Sequence, residues 1–161
     1  MKMRFSLIIL TILFTLSCND APKKVVNQVK SESEASEGNS NTIVLNSNDL
    51  MKFDKNMLLV TSGKKITLTL NHTGKLEKAI MGHNFVLLKQ DVNVIAFAEK
   101  AVLARENEYI PEGDEIIAHT KLLGGGESDT ITIDALAKGH YTFICSFPGH
   151  SGMMKGKLIV G

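Results

Sequence analysis

From Asn41 onward, apolar and polar side chains alternate with a period of two. Ile66, Leu68 and Leu70 interleave with Thr67 and Thr69, and Ile131 and Ile133 with Thr130 and Thr132. Tyr141, Phe143, Cys145 and Phe147 interleave with Thr142, Ile144 and Ser146. Alternation of this kind puts one side of a strand in a core and the other in water. Further strands are expected over residues 42–46, 57–61, 83–88, 115–120 and 157–160, bounded by Gly, Asn, Asp and Pro. About eight short strands predict an all-β sandwich over residues 41–161. Between positions 91 and 105 the period lengthens: Val94, Phe97, Ala98, Ala101 and Val102 recur at three and four residues. One short helical insertion is expected there, capped by Asp91. Gly124, Gly125 and Gly126 look only superficially like a phosphate-binding loop, because no Lys-Ser/Thr pair follows them. A hairpin-type turn is the expectation.

The first forty residues follow a different pattern. Lys2 and Arg4 precede an apolar run over residues 5–16, and Ser17 and Cys18 close it. A basic start, a short greasy centre and a small residue before a cysteine make a secretory signal over residues 1–17. A run of twelve residues is too short for a membrane-spanning helix, which takes roughly 20. The ending Thr15-Leu16-Ser17-Cys18 resembles a bacterial lipoprotein signal, with Thr15 where Leu is usual, so Cys18 is expected to be acylated and to anchor the chain by its lipid. Residues 19–40 are rich in Lys, Ser, Glu and Asn, with three Val as their large apolar residues. Such a composition cannot offset its ordering entropy, and a flexible tether over 18–40 is expected, spanning about 25 Å as a random coil.

The 161 residues carry 18 Lys plus Arg against 17 Asp plus Glu. That near balance lacks the basic excess that phosphate tracking needs, which argues against a nucleic-acid partner. Two cysteines are present, and once Cys18 is acylated Cys145 has no intramolecular thiol to pair with. It does not stand alone chemically. The segment from Cys145 to Met154 places a thiol, the imidazole of His150 and the thioethers of Met153 and Met154 across a loop bent by Pro148 and Gly149. Upstream, Met81-Gly82-His83-Asn84 supplies a second imidazole. Two imidazoles and a thiolate in a trigonal set, with a weak thioether, are the ligands of a blue copper centre. Thiolate and thioether favour Cu(I) while imidazole accepts both states, so a rigid sheet can hold the ion with little rearrangement.

Four blocks in order, Met-Gly-His-Asn at 81–84, Ile-Ala-His-Thr-Lys-Leu at 117–122, Cys-Ser-Phe-Pro-Gly-His-Ser at 145–151 and Met-Lys-Gly at 154–156, resemble the azurins, bacterial blue copper proteins of the cupredoxin family. The resemblance runs over about residues 42–161. It implies a Greek-key sandwich, one copper ion, and electron carriage between redox proteins in the bacterial periplasm, with no substrate transformed. It makes His83, Cys145 and His150 the equatorial ligands and Met154 the axial one, selected over Met153 by the three-residue gap after His150, with the Gly82 carbonyl approaching weakly. It implies that Asn84 ties the ligand segments together, that the Phe147 amide donates to the sulfur, and that His150 lies near the surface. Around His150 it implies an apolar rim of Met51, Leu76, Ile80, Met81, Phe147, Pro148 and Met153, where partners such as c-type cytochromes or a copper-containing reductase or oxidase would dock. His72, beside the site, His119 and His140 are not ligands in this reading.

The chain departs from the azurins in two internal features. Their disulfide near the start of the domain is missing, since Asn41 and Lys64 stand in that region, and Phe85 stands where a Trp is frequent. Three rival functions are weighed. A metal-buffering or delivery protein would share the copper ligands. A zinc site gains nothing from a thioether. A Cys145–His150 hydrolase lacks nameable oxyanion donors and an orienting acid.

Overall fold

A computed structural model describes residues 41–161. The expected signal, the acylated Cys18 and the tether lie outside the described residues. Among the described residues nine strands form two sheets: β1 (Thr42–Asn48), β2 (Lys52–Phe53), β3 (Met57–Val60), β4 (Ile66–His72), β5 (Val86–Leu88), β6 (Ile116–His119), β7 (Ser128–Ile133), β8 (Gly139–Ile144) and β9 (Lys155–Val160). One sheet has the order β2-β1-β4-β7 and the other β3-β9-β8-β5-β6. The pairs β1/β4 and β3/β9 are parallel and the rest antiparallel. The architecture is the expected Greek-key type of β-sandwich with one short helical insertion.

The period-two pattern builds the core. Ile66, Leu68 and Leu70 of β4 point inward with Ile43 and Leu45 of β1, and meet Phe85, Leu87, Tyr141, Phe143 and Leu158 from the facing sheet. Helix α2 (Val94–Leu103) buries Phe97 and Ala101 against Val86, Leu88, Ile110 and Ile144, in a smaller apolar layer.

Three expectations need correction. Asp91 does not cap α2: its φ of 64° places it in a turn, and the side chain of Asn93 accepts from the backbone N–H groups of Ile95 and Ala96 at 3.0 and 3.2 Å. Asn93 thereby satisfies two of the donors a helix start leaves open. The expected strand over 83–88 shortens to β5, while His83 makes an isolated bridge to Leu123. The glycine run turns the chain, as Glu127 N–H donates to the Gly124 carbonyl at 3.1 Å, but it joins no hairpin. β6 pairs with β5 and β7 with β4, so the turn passes the chain from one sheet to the other. The alternation also missed the two-residue β2, the short helix α1 (Lys78–Met81) and a 3-10 turn over Arg105–Asn107. All are too short to show a period.

At the end where β1 begins, Asn41 is 8% exposed and its side chain is fully engaged. Its amide donates to the carbonyls of Thr61 and Lys64 at 2.8 and 3.3 Å, and its oxygen accepts from Thr61 N–H at 2.8 Å. A hydrogen-bonded clamp therefore joins the start of β1 to the β3–β4 turn, in the region where the azurins are expected to be cross-linked.

Candidate metal centre

The site is assembled at one end of the sandwich from two segments far apart in sequence. The first follows α1. His83 N–H donates to the Leu123 carbonyl at 3.0 Å and Leu123 N–H donates back at 2.8 Å, which fixes the His83 backbone. A Cβ on Gly82 would come within 2.6 Å of the Lys78 carbonyl oxygen, so only glycine allows this approach. The Gly82 carbonyl lies 3.9 Å from Cys145 Sγ.

The second segment is the loop joining β8 to β9. Cys145 ends the inward run Tyr141, Phe143, Cys145, and its N–H donates to the Met154 carbonyl at 2.9 Å. His150 N–H donates to the Phe147 carbonyl at 3.0 Å, while the His150 carbonyl accepts from Met153 and Met154 N–H at 3.0 and 2.8 Å. Gly149 supplies the left-handed turn, with φ of 81°. The loop is a series of short turns closed on themselves, which holds its side chains in place.

These segments bring His83, Cys145 and His150 together. Cys145 Sγ lies 3.9 Å from His83 Nδ1 and 3.7 Å from His150 Nδ1, and all three donor atoms are within 4.8 Å of one another. His83 Nε2 donates to the Asn48 carbonyl at 2.9 Å, so its Nδ1 is the unprotonated nitrogen and offers its lone pair toward the sulfur. Burial pushes the Cys145 thiol up to about 11, opposed by the backbone N–H groups of Asn84 and Phe147. Burial also lowers His83, and it lowers His150 to about 4 with help from the neighbouring His83 and His72 rings. Two neutral imidazoles and a thiol that resists ionisation in an apolar pocket suit a soft cation, whose charge would draw off the thiol proton. The donor set fits a single copper ion.

The surroundings hold this arrangement stiffly. Asn84 is fully buried: its oxygen accepts from Ser146 N–H and its amide donates to Ser146 Oγ, both at 2.8 Å. Met154 is fully buried in a cluster with Cys145, Leu122 and Phe147, whereas its neighbour Met153 is 59% exposed. His72 stacks on His83 with ring centroids 4.4 Å apart, and its Nε2 donates to the Met81 carbonyl at 2.8 Å. The exposed His119 and His140 stand outside the donor cluster.

Two supporting contacts were not foreseen: the Asn48 carbonyl and the Ser146 hydroxyl. Neither carries a local signal, since the Asn48 contact spans 35 residues and the Ser146 contact 62. His72 was expected beside the site, and its buried position continues the inward series Ile66, Leu68, Leu70 along β4; its stacking on His83 was not foreseen.

Of the residues expected to form a rim, Leu76, Ile80 and Met153 are exposed, and Met51, Met81 and Pro148 are half-buried. Phe147 is buried and packs its ring 4.7 Å from that of His150. His150 keeps 4% exposure and His83 none, so His150 is the imidazole with an edge toward solvent.

Comparison with known proteins agrees with this chemistry. Residues 39–161 match the family model for copper binding proteins of the plastocyanin/azurin family. An azurin of Bordetella pertussis is 48% identical over 115 residues, covering 68% of this chain and 77% of that protein. Outer membrane protein H.8 of Neisseria gonorrhoeae is 42% identical over 116 residues, covering 70% of this chain and 63% of that protein. Among solved structures, a dithionite-reduced auracyanin from Roseiflexus castenholzii superposes with a TM-score of 0.68 at 37% identity, covering 77% of this chain and 99% of its own. The matched length, the sandwich and the buried His83–Cys145–His150 cluster lead to one conclusion: the chain is a blue copper protein and belongs to the plastocyanin/azurin family.

Proposed function

We propose that this protein is a single-electron carrier of the bacterial cell envelope, taking an electron from one redox protein and giving it to another. The observation that carries the reading is the buried triad of His83, Cys145 and His150, held by hydrogen bonds that do not depend on a bound ion. Copper supplies a one-electron couple when bound. The chain's own residues make that couple usable. His83 and His150 offer Nδ1, Cys145 offers its sulfur, and the burial of Met154 beside Cys145 supports Met154 over Met153 as the axial ligand. The Gly82 carbonyl, 3.9 Å from Cys145 Sγ, would be a further, weak neighbour of the ion. Asn84 and the Phe147 amide restrain the sulfur, so little would need to move between oxidation states.

Leu76, Ile80, Met81, Met51, Pro148 and Met153 form the docking rim in this reading, with the His150 edge as the shortest way out. A rim of apolar side chains suits brief contact with c-type cytochromes or a copper-containing reductase or oxidase. Periplasmic placement, held to a membrane through acylated Cys18, is part of the proposal; the likeness to an outer membrane protein supports it. Buffering or delivery of copper is the alternative, and it would favour ligands that open to release the ion.

The test is direct. Copper-loaded protein should absorb visible light intensely by thiolate-to-copper charge transfer, show narrow copper hyperfine splitting, and cycle between oxidation states without losing metal. Cys145→Ser should abolish the band. A colourless Cu(II) form with ordinary splitting would defeat the reading, and metal loss on each reduction would favour delivery.

A further inference from the structure

Helix α2 buries Phe97 and Ala101 but leaves large apolar side chains in water: Ile95 is 74% exposed, Val102 47% and Leu103 87%. Scattered exposed residues of this kind need no explanation, but a contiguous set does. Ile95, Ala98 and Val102 follow the three- and four-residue spacing of one helical stripe. That stripe, with Glu99, is one wall of a groove of about 220 Å³, and the other wall is Phe147, Pro148 and Gly149 of the ligand loop, with Ser146 and Ser151. The groove opens from the proposed docking rim itself. Among the described residues, six of the ten exposed large apolar side chains lie on this rim or on α2, so the apolar surface is concentrated there.

We infer that the redox partner's footprint runs from the rim across this groove onto α2. The partner would seat an apolar side chain between the Ile95–Ala98–Val102 stripe and Pro148. This deepens the electron-carrier reading and rests on it. A rim alone would allow the partner to rotate about the His150 edge. A groove on one side fixes its orientation, so the fraction of encounters that bring the redox centres close would rise. The walls argue for the partner's apolar side chain as occupant, because Ile95, Ala98, Val102, Phe147 and Pro148 make the lining mostly apolar, with Glu99, Ser146 and Ser151 its polar members, and one wall is the ligand loop.

The test uses copper-loaded full-length protein. Stopped-flow rates are measured with a reduced soluble c-type cytochrome and with hexacyanoferrate, and self-exchange between copies is measured by NMR line broadening. The variant I95S/V102S changes exposed positions only, and A98Q places a long uncharged polar side chain in the groove at little cost to the helix. Both are expected to slow the cytochrome reaction about tenfold, with the visible spectrum, the hexacyanoferrate rate and self-exchange unchanged. Cytochrome rates within about twofold of wild type for both variants would overturn the inference. So would an equal fall in self-exchange, which would make the groove a contact for a second copy. Failure of the underlying reading looks different: wild-type protein itself would then lack the visible band or exchange no electrons.

Discussion

Asn84→Ala probes how much of the site's order is built in before any metal arrives. The substitution removes an acceptor for Ser146 N–H and a donor to Ser146 Oγ, both at 2.8 Å, from a position with no solvent access. Ser146 is itself only 2% exposed, so water does not replace the lost partner. A buried donor left unsatisfied costs about 1–3 kcal/mol, and the second lost bond adds about 1 kcal/mol. The expected loss of stability in copper-free protein is therefore about 2–4 kcal/mol. Urea unfolding of copper-free wild type and variant, fitted with a common slope, measures it. The double-mutant cycle with Ser146→Ala isolates the hydroxyl bond and should return a coupling of about 1 kcal/mol. A loss below about 0.5 kcal/mol would mean that the ligand segments are held by something other than Asn84, and would refute the claim of a preformed site.

Three further outcomes follow from the structure. Asn41→Ala should destabilise the domain by about 2–3 kcal/mol in thermal unfolding, because three hydrogen bonds to the Thr61–Lys64 turn disappear together. Copper-free protein should lose stability as pH falls from 6.5 toward about 4, since His150 resists protonation when folded while the unfolded chain takes up the proton. Urea midpoints across that window check the slope, and a flat profile contradicts it. Met154→Leu should keep the visible band and raise the reduction potential in voltammetry, whereas Met153→Leu, at an exposed position, should leave the potential unchanged.

The sequence disclosed most where a period or a motif was local. The inward series of β4 and β8 placed the core, and the segment from Cys145 to Met154 carried a thiol, an imidazole and thioethers within one loop. It disclosed least where the determining contact was distant. The His83 tautomer is set by the Asn48 carbonyl, and no property of either residue alone announces that meeting. Asp91 and Asn93 are both good caps by composition; the helix starts at Val94 after a left-handed turn at Asp91, which leaves Asn93 at the cap position. The glycine run could turn either way until the strand pairing was known.

The two ends of the sandwich divide the available chemistry between them. In the described residues the one thiol is Cys145, and it lies at the metal centre. The opposite end is closed by an amide, Asn41, whose bonds neither form nor break with the redox state of the surroundings. Had a cysteine pair closed that end, an oxidising compartment could also have offered Cys145 a wrong partner during folding, because thiolate exchange does not distinguish sulfurs by purpose. Burial adds a second safeguard: the Cys145 thiol, pushed up to about 11, is almost entirely protonated near neutral pH and attacks disulfides slowly until a cation draws its proton off. The depressed His150 points the same way, since it keeps a lone pair available down to about pH 4. Reactivity is thus withheld from the general solvent and granted to a soft metal, by burial acting in opposite directions on an acid and a base.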